Sequence, residues 1–149
     1  MINVQYQSGL ENEINLDFIK FAVNSALSKF NKQSLDLTLR FTNNEEIQSL
    51  NRDFRDFDEV TDVLSFNQDF FDPETGSYYL GDIVISLDQA SLQAVENQIS
   101  LNEECAFLAI HGTLHLLGFD HETLASKQDM WQHQDAIYEF VKKIFQEKI

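Results

Sequence analysis

Leu35, Leu37, Leu39 and Phe41 alternate with Asp36, Thr38 and Arg40, the period-two pattern of a strand with one apolar face and one polar face. Ile2, Val4 and Tyr6 repeat that pattern near the amino terminus. Between them the period changes. Phe18, Ile19, Ala22, Val23, Ala26, Leu27 and Phe30 form a helical apolar stripe that Asn15 can cap. Asn43, with Glu46 three residues on, predicts a second helix carrying Ile47, Leu50 and Phe54 inward. Residues 61–66 and 80–87 are β-branched and apolar enough for two strands, and Asp72-Pro73-Glu74-Thr75-Gly76 between them has turn chemistry. Asp88 is a candidate cap for a helix reaching about Gln98, and Ser100-Leu101-Asn102-Glu103 is a capping box for the next. Gly118 ends that helix, and a last one from Leu124 to Glu147 turns Met130, Ile137, Val141 and Ile144 inward.

The order β-α-β-α-β-β-α-α-α predicts an α/β fold of α+β-like character, with about four strands in a mixed sheet and about five helices packed on it. The first two strands, joined through a helix, should be parallel neighbours; the 61–66 and 80–87 segments should form a hairpin. No repeat, low-complexity stretch or linker interrupts residues 1–149, which are expected to form one domain.

Composition sharpens this. The 149 residues are 43% hydrophobic with 13 Phe, enough for one substantial core. Met1-Ile2-Asn3-Val4-Gln5 has neither a basic lead nor an apolar stretch, and the apolar window 106–119 is too short for a bilayer, so no secretory leader and no membrane association are expected. Cys105 is the one cysteine, which excludes an internal disulfide and suits a reducing cytoplasm. The formal charge of −15, with no Lys or Arg between Arg55 and Lys127, excludes a general polyanion binder. A phosphate-bearing substrate would need a few local charges.

Three of the four histidines fall in one short string: His111-Gly112-Thr113-Leu114-His115-Leu116-Leu117-Gly118-Phe119-Asp120-His121. Four apart on a helix, His111 and His115 share a face, with Cβ atoms about 5–6 Å apart. After Gly118 the chain can fold back to bring in His121. Three neutral imidazoles hold zinc and leave a fourth tetrahedral position open, the geometry of a catalytic ion. Protonation would release the ion below about pH 6.5. His133 is expected to be an ordinary helix position, Asp120 and Glu122 to be solvated or to orient an imidazole, and Ser65 and Asp82 to serve backbone and turn geometry. Cys105, pointing away from the histidine face, is expected to be a packing residue.

The spacing is that of the metzincin metallopeptidases, and it predicts a metzincin-like metal helix. Their chemistry also requires a glutamate directly after the first histidine. Here Gly112 stands there and cannot move a proton, which counts heavily against peptide hydrolysis of that type.

Nearly the whole chain resembles the YbeY family of bacterial zinc-dependent endoribonucleases. Leu50-Asn51-Arg52-Asp53-Phe54-Arg55 is similar to that family's helix ending in arginine; Thr61-Asp62-Val63-Leu64-Ser65-Phe66 and Leu80-Gly81-Asp82-Ile83-Val84-Ile85-Ser86 to its strand motifs; and His111 to His121 to its metal motif. Asp58-Glu59-Val60 and Asn67 depart from the basic residue and prolines usual in the family. The resemblance implies one Zn²⁺ per chain held by His111, His115 and His121, with Arg55 as the catalytic residue. It implies cleavage of single-stranded regions of ribosomal RNA in 16S rRNA 3′-end maturation and ribosome quality control. Small-subunit ribosomal proteins or an assembly GTPase would be partners in the cytoplasm. The alternatives are a ribosome-assembly binding factor with a structural metal, in which His133 could complete the sphere, and another metal-dependent hydrolase or an iron or nickel site with the same ligands.

Overall fold

In the computed structural model, which describes residues 1–147, nine elements build a four-stranded mixed sheet with five helices. Strand β1 (Ile2–Tyr6) leads through helix α1 (Leu16–Lys29) to β2 (Asp36–Thr42), and the two strands pair in parallel, Val4 opposite Leu39. Helix α2 (Asn44–Arg55) follows, then the antiparallel hairpin of β3 (Val63–Asp72) and β4 (Ser77–Ser86). β4 lies beside β2 in parallel, giving the order β1-β2-β4-β3 and leaving β3 at an edge. Helices α3 (Leu87–Asn97), α4 (Leu101–Leu116) and α5 (Leu124–Glu147) complete the chain.

Local chemistry sets most boundaries. The Asn15 side chain accepts from the Phe18 amide, and Asn43 from that of Glu46, so each caps its helix. Ser100 and Glu103 close the capping box that starts α4. At its other end the Phe119 amide donates to the Leu114 carbonyl and the Gly118 amide to that of His115, both at 3.0 Å. This is a Schellman turn, and it needs the left-handed backbone of Gly118 at φ +102°.

α4 is buried on two sides, which is why it lacks a polar stripe. Cys105, Leu108, Ala109 and Leu116 join Ile19, Val23, Leu37, Leu39, Phe41, Ile83 and Ile85 in a core against the sheet. Ala106, Ile110 and Leu114 turn the other way, onto Phe18, Ala22, Met130, Ile137 and Val141 of α1 and α5. Ile47 of α2 packs with Leu64 and Val84.

The structure corrects four expectations. Phe54 is 68% exposed, because α2 meets the sheet through Ile47 and Leu50 and leaves Phe54 against the edge of the Phe66 ring. Ser86, not Asp88, caps α3; the Asp88 carboxylate instead accepts the Asn44 amide at the start of α2. The hairpin strands run farther into the turn than the apolar residues alone suggest, through a bulge between Asn67 and Phe70 with Asp69 at φ +48°. Finally, the polar side of β2 is not all open to water: Thr38 and Thr42 are buried, Thr38 bonds the Tyr79 hydroxyl at 2.6 Å, and Thr42 donates to Glu46, which also pairs with Arg40. Ile144 of α5 is half-buried, less enclosed than Met130, Ile137 or Val141.

Candidate metal centre

Two turns at the carboxyl end of α4 present His111 and His115 on one side, and the Schellman turn returns the chain so that His121 joins them. One ligand nitrogen from each of the three rings lies within 4.8 Å of the other two. His111 and His115 approach to 3.1 Å between their Nε2 atoms, with ring centroids 4.6 Å apart; the His121 ring stands 5.0 Å from that of His115.

The donor set fits a divalent ion. Imidazole nitrogens on a tetrahedral zinc would stand about 3.3 Å apart, from Zn–N bonds of about 2.0–2.1 Å. The His111 and His115 nitrogens already stand at about that separation, and a His121 ring nitrogen lies within 4.8 Å of both. Two ring nitrogens at 3.1 Å must also share either a proton or a cation, since two bare lone pairs would repel. The Oε1 atom of Gln134, on α5, faces Nδ1 of His111 at 2.7 Å, which puts the proton on Nδ1 and directs the Nε2 lone pair toward His115 and His121. The His115 ring bonds the Phe119 backbone.

Both helix histidines are held neutral. Burial lowers the His111 pKa, against the hydrogen bond that its ring donates to Gln134, which raises it. Burial, then the charges of His111 and His121, push His115 down to about 4. These are the protonation states that metal binding requires.

A cavity of about 440 Å³ opens over the cluster, lined by His111, His115, His121, Ser65, Asn67 and Arg55. Ser65 organises its floor. The Ser65 hydroxyl donates to the Gly112 carbonyl at 3.1 Å, its own carbonyl accepts from the Arg55 guanidinium, and Asn67 donates to the Leu116 carbonyl at 2.8 Å. Arg55 also lies over the Phe66 ring, 5.4 Å from its centroid. Among the described residues it forms no ion pair with Asp58 or Asp62, so the guanidinium keeps its charge for the cavity.

Gly112 has a packing reason. A Cβ there would stand 2.7 Å from Ile83 Cγ2 and 3.1 Å from Ser65 Oγ. A side chain at this position would therefore drive into the sheet, and α4 could not pack so closely on β3 and β4.

Of the other residues singled out from the sequence, His133 is not in the cluster. It packs between Phe30 and Phe119, with centroids 5.1 and 5.2 Å away, and faces Asp129. Asp120 accepts the Glu122 amide rather than orienting a ring. Asp82 bonds Tyr79 and Gln68 on the opposite face of the sheet. Gln134 escaped the sequence reading. Its signal was a polar residue within the apolar stripe of Met130, Ile137 and Val141, and it is only 4% exposed.

Fold and cluster together define an α/β protein with three histidines positioned to bind a metal, two on a buried helix beside an edge strand and one just past that helix's end. The family profile described as Endoribonuclease YbeY matches residues 2–142, and the chain belongs to that family. A protein of that name from Sulfurihydrogenibium sp. (strain YO3AOP1) is 41% identical over 85% of this chain and 84% of its own length. Another, from Dehalococcoides mccartyi (strain BAV1), is 36% identical over 97% of this chain and 99% of its own. The solution structure of the Thermotoga maritima protein TM1509 superposes with a TM-score of 0.68 at 25% identity, covering 99% of this chain and 93% of that one.

Proposed function

We propose that the protein is a zinc-dependent endoribonuclease that cuts single-stranded regions of ribosomal RNA, acting in 16S rRNA 3′-end maturation and ribosome quality control. The observation that carries this reading is the shared cavity: Arg55 lines it together with His111, His115 and His121. Family membership supports the RNA substrate, since relatives at 41% and 36% identity are named endoribonucleases.

The three histidines would hold the ion, and a bound zinc would supply a Lewis acid and a means of activating water near neutral pH. Gln134 keeps the His111 lone pair aimed at the ion's position. Arg55 offers a planar, permanently charged fork suited to nonbridging phosphate oxygens, where negative charge accumulates during phosphodiester cleavage. Its bond to the Ser65 carbonyl and its contact with Phe66 hold that fork at the rim of the cavity. The same bond occupies a carbonyl on the edge of the sheet, where an extended peptide would otherwise add as a strand. With no room for a side chain at Gly112, this argues against peptide hydrolysis. The position of His133 among aromatic rings argues against a closed, structural metal.

With a formal charge of −15, the chain is a poor stand-alone RNA binder. Recruitment therefore runs through a protein partner, either small-subunit ribosomal proteins or an assembly GTPase, in the cytoplasm. Among the described residues no helix is long and apolar enough to cross a membrane.

The test is elemental analysis of the purified protein together with cleavage of a single-stranded ribosomal RNA fragment. Zinc near one per chain is expected, with activity about 100-fold lower or less in Arg55→Ala and in His115→Ala. RNA left intact by zinc-loaded protein, or cut equally well by His115→Ala, overturns the assignment.

A further inference from the structure

A second cavity, of about 320 Å³, adjoins the first and shares His111 and Asp62 with it. Its remaining walls include Phe107, Trp131, Gln134 and Asp135. It therefore lies on the Nδ1 side of His111, and that ring and Asp62 form walls common to the two cavities.

The chemistry of this second chamber differs from that of the first. It holds two carboxylates and no cation, so a phosphate is repelled from it. It offers instead an aromatic surface and hydrogen-bonding groups. Trp131 is 47% exposed and has no ring–ring partner among the described residues; Lys127, which does not line the cavity, lies 4.5 Å from its centroid. Asp135 is exposed, and its carboxylate is unpaired among the described residues. Gln134 is 4% exposed and has committed Oε1 to His111, which leaves its amide nitrogen to donate into the space.

We propose that this chamber is a nucleobase subsite, in which an unpaired guanine stacks on Trp131 and presents its Watson–Crick edge to Asp135. Guanine carries a ring N–H and an amino group side by side, the donor pair that a carboxylate accepts. Uracil offers a single ring N–H flanked by two carbonyl oxygens, so a carboxylate gains one bond there and faces the negative ends of two dipoles. The base enters the acidic chamber while its phosphate stays on the Arg55 side, so the differing charge of the two neighbouring cavities sorts the two parts of one nucleotide. Stacking on an aromatic side chain requires an unstacked base, which single-stranded RNA supplies.

This subsite rests on the endoribonuclease reading for its biological substrate, but binding can be read without cleavage. Trp131 is the single tryptophan of the chain, so its intrinsic fluorescence reports the chamber directly. Cleavage-resistant 2′-O-methyl tetranucleotides containing one guanosine, one uridine or one abasic position are titrated into the zinc-loaded protein. The guanosine form should quench Trp131 saturably and bind about tenfold tighter than the abasic form, within the range of one base stacked on an aromatic ring. Asp135→Asn should bring guanosine and uridine close together. With all-ribose substrate, Trp131→Ala should raise KM about tenfold and leave kcat within about twofold. Equal quenching by the guanosine and abasic forms, or an unchanged KM in Trp131→Ala, overturns the subsite. Cleavage without selective quenching removes the subsite and leaves the nuclease reading standing; selective quenching without cleavage does the reverse.

Discussion

The Oε1 atom of Gln134 lies 2.7 Å from Nδ1 of His111, so the last helix sets the tautomer of a residue on the buried helix beneath it. A ring held by a carbonyl presents its other nitrogen in one orientation and as a stronger donor to a cation. Gln134→Leu should weaken zinc affinity roughly 10- to 100-fold while leaving the helix packed. Competition against a chromophoric chelator measures it. An affinity within about twofold of wild type would show that Gln134 does not tune the site.

Gly112 yields a prediction about packing. A methyl group there meets Ile83 Cγ2 at 2.7 Å. Gly112→Ala should cost about 1–3 kcal/mol in thermal or denaturant unfolding, the usual range for overpacking a core. Gly112→Glu, which would complete a metzincin-like string, should fail to give a stably folded protein rather than create a peptidase. A stable Gly112→Glu variant with proteolytic activity would contradict the packing argument.

The depressed pKa of His115 has a consequence for stability. In the metal-free protein the folded value is about 4, against an ordinary 6.5, so the unfolded chain takes up its proton first as pH falls. The stability associated with a neutral His115 is present above pH 6.5 and is lost progressively down to about 4. Metal-free wild type should therefore lose denaturation free energy across this window, and His115→Phe should show a flatter profile. The same depression should let a bound metal ion be retained below the pH at which ordinary imidazoles would release it. Metal content after dialysis at stepped pH checks it.

Cys105 gives a cleaner titration. Burial, with the neighbouring Glu104 charge, pushes its thiol up to about 12, and the side chain is fully enclosed. At pH 8 a thiol reagent should label native protein far more slowly than protein in denaturant, where the full equivalent should react at once. Rapid native labelling would mean that α4 opens readily from the sheet.

Much of this site was legible because its signals are local. The histidine spacing, the Ser100–Glu103 capping box and Gly118 lie within one stretch of chain, and each acts on its immediate neighbours. The alternation in β1 and β2 likewise carried the parallel pair. What escaped depended on contacts across the fold. Phe54 looked inward by periodicity, but the narrow contact of α2 with the sheet leaves it outside. Thr38 looked solvent-facing, yet Tyr79, a distant residue on β4, closes over it. Gln134 was hidden for the same reason. Only the crossing of α5 over α4 turns a polar interruption in a stripe into a partner for His111.

Ser65 joins both halves of the centre through one peptide unit and its side chain: its hydroxyl grips Gly112 between two histidines, and its carbonyl receives Arg55. One residue thus helps to gauge the spacing between the histidine rings and the guanidinium, like the screw of a calliper. A displacement of Ser65 would therefore disturb the anchorage of the guanidinium and of the histidine-bearing helix together.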